Sequence, residues 1–463
     1  MLEDATTQTI AAISTARGLA AISLIRVSGE LASQICNRVF RGAGSPPDRP
    51  RTLVHGKIMD PDTGDVVDTV LAAFFSGPNS YTGEDMLEIH THGGRFVTTR
   101  VFQTVTRCGA RPALPGEFTM RAFANGKLDL TQAEAVLDVI HARNDVFLKA
   151  AQKNLSGNFG NQVLSIHEQL VNILSSLEVV FEYPDENVPD VSREVIADAL
   201  KKARADLKKL INSFRPESMV NKGMKIALLG RPNVGKSSIM NRLAGFDRSI
   251  IHESPGTTRD LIGESVDLSG LELQIMDTAG ITSTENPVES EGVRRTKAFV
   301  ENEAHEVILV FDGSQPLTAQ DFELMDYVLA AIANKKNVIP VLNKSDLPVK
   351  TQHRIIQERM GPFIAMSALT GQGADQLTQL LHQKATQMLE GASETMITSV
   401  RHKTLLENAL ASVDAALAGL ELVPQDILCI DIRESACFLG EIIGRNVTDD
   451  ILESIFSNFC VGK

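Results

Sequence analysis

The segment 224–237, MKIALLGRPNVGKS, constrains this chain more than any other. An apolar run of strand length ends on Gly230, and Gly230-Arg231-Pro232-Asn233-Val234-Gly235-Lys236-Ser237 fits G-x-x-x-x-G-K-[ST]. A Gly-rich turn between a buried strand and a helix lets backbone N–H groups wrap a phosphate at the helix N-terminus. Lys236 then reaches the β- and γ-oxygens, and Ser237 can hold Mg²⁺. The same rhythm continues downstream. LELQIM, EVILVF, NVIPVL and FIAM are each followed by a polar or Gly-rich loop and a helical stretch. Strands alternating with helices predict a parallel sheet with right-handed crossovers.

Three further motifs sit at the ends of the later strands. Asp277-Thr278-Ala279-Gly280 follows LELQIM, Asn343-Lys344-Ser345-Asp346 follows NVIPVL, and Ser367-Ala368-Leu369 follows FIAM. In open parallel sheets ligands bind at the carboxyl ends of strands. Together with GRPNVGKSS (Ser238 included), these motifs resemble the guanine-nucleotide signature of Ras-like GTPases. The Asp346 carboxylate can accept from guanine N1–H and N2–H₂, a pair adenine does not offer, and the wrong base would leave it unpaired. Asp277 would bind Mg²⁺ through water, and the Gly280 N–H would sense the γ-phosphate.

Between the first two motifs lies His252-Glu253-Ser254-Pro255-Gly256-Thr257-Thr258-Arg259-Asp260. A threonine here must close over the γ-phosphate and Mg²⁺, and the residues alone do not choose between Thr257 and Thr258. Many such GTPases orient the attacking water with Gln directly after the DxxG glycine. This chain has Ile281, and no arginine finger is evident. Another group must orient the water: Glu285, Glu289 and Glu291 are the candidates in the loop that follows, and Asn233 can help to bind a monovalent cation.

The flanks read differently. Over 1–120 the pattern is mixed α/β, with AAISLIRVSG, VVDTVLAAFF and DMLEIHTHGG as strand candidates. From about 121 it turns helical: Ala133, Val136, Leu137 and Ile140, then Val163, Ile166, Leu170, Leu174, Leu177 and Phe181, keep one apolar face. The period returns after 381 with Leu406, Leu410, Val413, Leu417 and Leu420. A helical half on each side of an α/β part suggests one bundle with a domain inserted in it.

Composition narrows the function classes. With 45 basic and 58 acidic residues the net charge is −13, which argues against nucleic-acid binding through bulk positive charge but not against a local basic groove. The best local basic run is the helix bearing Lys201, Lys202, Arg204, Lys208 and Lys209, read first as a solvated face. Five cysteines without CxxC spacing predict neither a disulfide framework nor a zinc ribbon, and point to a reducing cytosol. No apolar run of about 18 residues predicts a membrane span. MLEDATTQTI does not resemble a secretory signal.

The chain closely resembles the bacterial tRNA-modification GTPases of the MnmE (TrmE) family over its whole length. The GTPase motifs carry part of that resemblance. RVSG, YTGEDMLEIHTHGG, PGEFTMRAFANGKLDLTQAEA and the terminal Cys460-Val461-Gly462-Lys463 are more specific. The resemblance implies α/β plus all-α architecture: a Ras-like P-loop GTPase domain inserted into a helical bundle, with an N-terminal α/β folate-binding domain. The boundaries expected are 1–120 for the folate-binding and dimerisation domain, 121–220 and 381–463 for the helical halves, and 221–380 for the G domain.

It also implies chemistry: a K⁺-stimulated GTP hydrolase that works as a cytoplasmic homodimer with the FAD protein MnmG (GidA) in a heterotetramer. The complex modifies C5 of the wobble uridine, U34, of tRNA to a (carboxymethyl)aminomethyl group, with a tetrahydrofolate derivative as one-carbon source. Carried over by position, K⁺ would take Asn233, His252, Ser254 and Thr257, in the space of an arginine finger. Mg²⁺ would take Ser237 and Thr258, and the catalytic glutamate falls on Glu289. Folate contacts fall on Arg26, Glu88, Lys127 and Lys463, with Cys460 near the one-carbon unit. The family often reads VERIG where this chain reads VESEG.

Rival readings fare worse. A ribosome-assembly GTPase of the KH type would carry a basic C-terminal module. Residues 381–463 hold six basic and twelve acidic residues. A dynamin-like GTPase would carry a basic amphipathic helix, which the terminus lacks. CVGK fits a prenylation box poorly. No G-x-G-x-x-G follows a strand, so redox chemistry would need a flavoprotein partner.

Overall fold

The computed structural model describes residues 8–16, 18–182, 192–215, 223–244, 263–268, 271–277, 287–332, 337–389 and 396–463. The chain divides into two compact units. One is built from Met1–Ile140, Gln152–Asn212 and Arg401–Lys463, the other from His141–Ala151 and Ser213–Val400.

The three-segment unit contains a seven-stranded sheet of β1 (Ile10–Ile13), β2 (Ile22–Ser28), β3 (Phe40–Gly42), β4 (Val54–Met59), β5 (Val66–Phe75), β6 (Met86–His92) and β7 (Arg111–Pro112). Their order is β3-β4-β5-β6-β2-β1-β7. All pairs are antiparallel except β1 with β7. Strand alternation sends Ile25, Val27, Val70, Ala72, Leu87 and Ile89 to one face, where Ile35, Val39, Val101 and Val105 of the helices Ala32–Val39 and Arg95–Arg107 cover them. The opposite face carries Arg26 and Glu88, direct neighbours across β2 and β6.

The helices of this unit come from both sides of the inserted segment. Asn158–Glu182, Arg193–Asn212, Arg401–Gly419 (the part of helix Val400–Gly419 within this unit) and Gln425–Ile443 pack together. The apolar stripe read from sequence is the face they bury: Val163, Ile166, Leu170 and Leu177 are buried, as are Leu406 and Val413. Cross-links fix the pairing. Ser435 Oγ donates to Ala409 O at 3.0 Å, and Arg204 pairs with Asp414 at 2.5 Å. Ile140, at the end of its helix, is exposed instead. The C-terminal helix Asp449–Phe456 puts Leu452 and Phe456 against Leu130, Ala133 and Val136. The chain then runs to the sheet side, where Val461 bridges Pro115 and Gly116 N–H donates to Cys460 O.

The second unit is a six-stranded sheet ordered β13-β12-β11-β8-β10-β9. Its members are β8 (Met224–Leu229), β9 (Gly263–Leu268), β10 (Leu271–Asp277), β11 (Glu306–Asp312), β12 (Asn337–Asn343) and β13 (Ile364–Ala365). All pairs are parallel except β9 with β10. Both faces are covered, as a parallel sheet requires. Ile226, Leu228, Ile308 and Val310 meet Ile239, Leu243, Leu377 and Leu381 of the helices Lys236–Ala244 and Ala374–Leu389. Their alternates Ala227, Leu229, Leu309 and Phe311 meet Phe299, Leu324, Val328 and Ile356 of three helices on the other side. That explains the apolar run 307–311: β11 is buried along its whole length, and the buried Glu306 at its start is paired with Lys384.

Two sequence expectations need correction. The parallel sheet has an antiparallel edge, β9, whose GESVDL is too acidic for a core strand but ordinary for an edge. The N-terminal sheet has four strands more than the three read. β3 and β7 are too short for a period to show, and the outward His55 and Lys57 interrupt β4. Among the described residues no helix is long and apolar enough to cross a membrane.

Candidate nucleotide-binding site

The phosphate loop leaves β8 at Leu229 and enters the helix Lys236–Ala244. Gly235 has φ +99°, a left-handed conformation, and a Cβ there would lie 2.2 Å from Asn343 Nδ2. Both facts demand glycine. Asn233 is also left-handed, at φ +64°. The Lys236 ammonium folds back on the loop, donating to Gly230 O at 2.9 Å and Arg231 O at 3.2 Å. Val234 is buried, while Ser237 and Ser238 are exposed on the first helical turn.

The loop after β12 joins this turn. Asn343, buried, donates from Nδ2 to Val234 O at 2.8 Å and accepts the Ala368 N–H on Oδ1 at 3.0 Å. Lys344, at φ +66°, donates to Asn233 O at 2.9 Å and pairs with Asp312 at 2.6 Å. Burial works against charge on Asp312, but Lys344 and Ser314 hold its carboxyl below the usual range. Ser345 N–H donates to Met366 O at 3.0 Å. Asp346 is exposed. Ser367 and Ala368 are buried, and Leu369 stands out at 80% exposure.

Two supporting residues were not singled out by sequence. Arg242, one helical turn and more beyond the phosphate loop, holds the third motif by donating to Ala368 O and, at 2.8 Å, to Leu369 O. Asp312 is the last residue of β11, so its place at a strand end could have flagged it. Asp277 likewise ends β10. Glu289 and Glu291 belong to the helix Pro287–Asn302. His252, Glu253, Ser254, Pro255, Gly256, Thr257, Thr258, Thr278, Ala279, Gly280, Ile281 and Glu285 lie outside the described residues.

The second set of sequence candidates lies in the other unit. Arg26 Nε donates to Glu88 Oε1 at 2.8 Å, so these two pair with each other across β2 and β6. The Arg26 guanidinium carbon stands 5.6 Å from the centre of the Tyr81 ring. Burial lifts the Tyr81 hydroxyl above its ordinary pKa, and that hydroxyl meets Thr119 Oγ1 at 2.9 Å. Lys463 arrives beside them: burial first, then the nearby Arg26 charge, lower its amine below the usual lysine range. Lys127 is engaged on the β5–β6 connection, donating to Pro78 O at 3.0 Å. Cys460 is exposed.

Strand order, phosphate loop and the joined motif loops define a Ras-like P-loop GTPase domain. Comparison with known proteins narrows the class. Residues 9–127 match the family model described as the GTP-binding protein TrmE N-terminus, and residues 130–460 match the MnmE helical domain. The tRNA modification GTPase MnmE of Moorella thermoacetica is 40% identical over 474 residues, covering 100% of both chains. That of Streptococcus pneumoniae (strain Hungary19A-6) is 39% identical over 461 residues, covering 98% of each. Among solved structures, the G domain of the T. maritima FeoB iron transporter matches at 26% identity over 35% of this chain and 98% of its own, with a TM-score of 0.28. The chain belongs to the MnmE family of tRNA modification GTPases, and it is a GTP hydrolase.

Proposed function

We propose that this chain is the K⁺-stimulated GTPase of a cytoplasmic tRNA-modifying complex, acting as a homodimer with the flavoprotein MnmG to alter C5 of the wobble uridine. The division adopted is 1–120 for folate binding and dimerisation, 121–220 and 381–463 for the helical halves, and 221–380 for GTP. The observation that carries the reading is the half-buried Arg26–Glu88 pair on the sheet face away from the helices, with Lys463 close enough for the Arg26 charge to lower its amine. A chain that only switched on GTP would have no use for a half-buried lysine side chain beside a charged pair on the sheet face. These groups suit folate: its pterin offers donors to Glu88, and its glutamate tail offers carboxylates to Arg26 and the lysines. Burial of Arg26 and Glu88 to below one-fifth exposure makes them a desolvated pair that a ligand must either keep or replace.

In the other unit, Asp346 selects guanine and Asn343 holds its loop to the phosphate turn. Lys236 exchanges its two loop carbonyls for phosphate oxygens. Ser237 and Thr258 are assigned to Mg²⁺, and Asn233, His252, Ser254 and Thr257 to K⁺. The exposed Ser237 hydroxyl and the left-handed turn at Asn233 are compatible with those donor sets. When bound, the two cations offset the charge of the transferring phosphoryl group. Glu289 orients the attacking water in the role that glutamine fills elsewhere. Mass analysis of wobble uridine in tRNA from a deletion strain tests the proposal: loss of the C5 group is expected, and unaltered nucleosides would overturn it.

A further inference from the structure

An acidic chain that acts on RNA needs a local positive surface, and the helix singled out by sequence does not supply a clean one. Lys201 faces Asp198 at 3.7 Å and Arg204 is paired with Asp414. The β3–β4 hairpin does. Residues 38–57 hold five Lys or Arg and a single acid, Asp48. A cleft of about 360 Å³ opens there, bordered by Arg41, Arg49, His55 and Lys57, and no carboxylate lines it. All four are exposed. None of Arg38, Arg41, Arg49, Arg51 or Lys57 is in an ion pair among the described residues.

The local fold explains the display. Along β4 the burial alternates, so Val54, Gly56 and Ile58 turn inward while His55 and Lys57 turn out. Those two lie about 7 Å apart, two residues along a strand. That is the order of the step between neighbouring phosphates of one nucleic-acid strand. Gly42 and Gly56 face each other across the hairpin. A Cβ on Gly56 would sit 2.3 Å from the Phe40 ring, so the glycine pair keeps the floor flat. The Arg41 guanidinium is oriented by the carbonyls of Asn37 and Phe40, both at 2.7 Å.

We propose that this cleft is a phosphate-binding surface that holds the backbone of a folded RNA, the tRNA of the reading above, on which this inference rests. No Phe, Tyr or Trp side chain lines it, so it fits backbone phosphates rather than stacked bases. An acidic protein segment fits less well. The edge strand β3 is only three residues long, too short for strand addition.

The test is tRNA binding by the full-length protein, measured by fluorescence anisotropy with an unmodified transcript over a range of KCl concentrations. The double variant Arg49→Ala/Lys57→Ala should bind about tenfold more weakly near physiological salt, with a log K against log salt slope shallower by about 1.4 to 1.8. The charge-keeping variant Arg49→Lys/Lys57→Arg should match the parent in both. Basal GTP hydrolysis should be unchanged in each. Unchanged affinity and slope in the alanine variant would overturn the proposal. So would weakened binding in the charge-keeping one, an absence of tRNA binding by the parent, or a loss confined to MnmG association. Failure of the underlying reading shows elsewhere, as unaltered wobble uridine in the deletion strain, whatever these variants do.

Discussion

Asn343 bonds two loops at once: its amide nitrogen serves Val234 O in the phosphate turn, and its amide oxygen serves the Ala368 N–H after β13. One buried side chain therefore sets the distance between the phosphate end and the base end of the nucleotide site. Both partners are backbone groups with no route to water.

Replacing Asn343 by Ala leaves that carbonyl and that N–H unpaired, at roughly 1–3 kcal/mol each. Asn343→Ala should weaken GTP and GDP alike, by about ten- to a hundredfold, with turnover at saturating GTP nearly intact. Gly235→Ala should do the same by a different route, because its Cβ would drive into Asn343 Nδ2. Fluorescent-nucleotide titrations measure both. Unaltered affinity in Asn343→Ala would mean the two loops hold their spacing without it.

Asp346 is exposed, ready to face a base. Asn in its place offers one acceptor and one donor, which complements xanthine at the position where guanine carries its amino group. Asp346→Asn should shift preference from GTP toward XTP by at least on the order of a hundredfold, because the wrong base leaves a hydrogen-bonding group of the site unpaired. Competition between the two nucleotides reads this directly, and retained GTP selectivity would contradict the assignment of Asp346 to the base.

The G-type unit was largely legible because its strands are buried on both faces and so read as continuous apolar runs, while each motif sits at a strand end. EVILVF and NVIPVL left little choice. GESVDL gives little strand signal because an edge strand needs little apolar surface; Val266 is buried. The N-terminal sheet was half legible for the same reason: VVDTVLAAFF is long, whereas Phe40–Gly42 and Arg111–Pro112 are too short for any period. Arg242 could not be read at all. Its partners are carbonyls of Ala368 and Leu369, more than a hundred residues away, and a backbone oxygen leaves no trace in residue type. The pairing of Arg26 with Glu88 is also a matter of register, which β2 and β6 fix only once they meet.

With Ile281 after the DxxG glycine, the proposed hydrolysis rests on a carboxylate and a cation. Glu289→Ala should lower turnover by two orders of magnitude or more, the scale of a positioned general base, while GTP affinity stays within about twofold. Replacing K⁺ by Na⁺ should slow hydrolysis comparably in the parent and add little in the variant. Phosphate release under both salts measures this. Normal turnover in Glu289→Ala would pass the role to Glu285 or Glu291, and equal rates in the two salts would sink the cation assignment.

Glu134 is held by the helix that begins the last chain segment. Arg401 donates to both its oxygens at 3.1 Å, and His402 Nε2 lies 2.5 Å from Oε2, its ring tilted 5.0 Å from Phe159. Burial opposes the charge, but His402 and Arg401 outweigh it and hold the Glu134 carboxyl down at about 2. A depressed carboxylate contributes stability that is full above the unfolded value near 4.5 and disappears as pH falls toward about 2. Glu134→Gln removes the anion and leaves the Arg401 guanidinium beside His402 with no carboxylate to pair with, at about 3 kcal/mol. Urea unfolding at neutral pH should show that loss. The same titration between about pH 4.5 and 2 should show a gap that narrows as the parent's own carboxylate is protonated. A variant as stable as the parent at neutral pH would show that packing of Phe159 and its neighbours, not this carboxylate, fastens the returning helix.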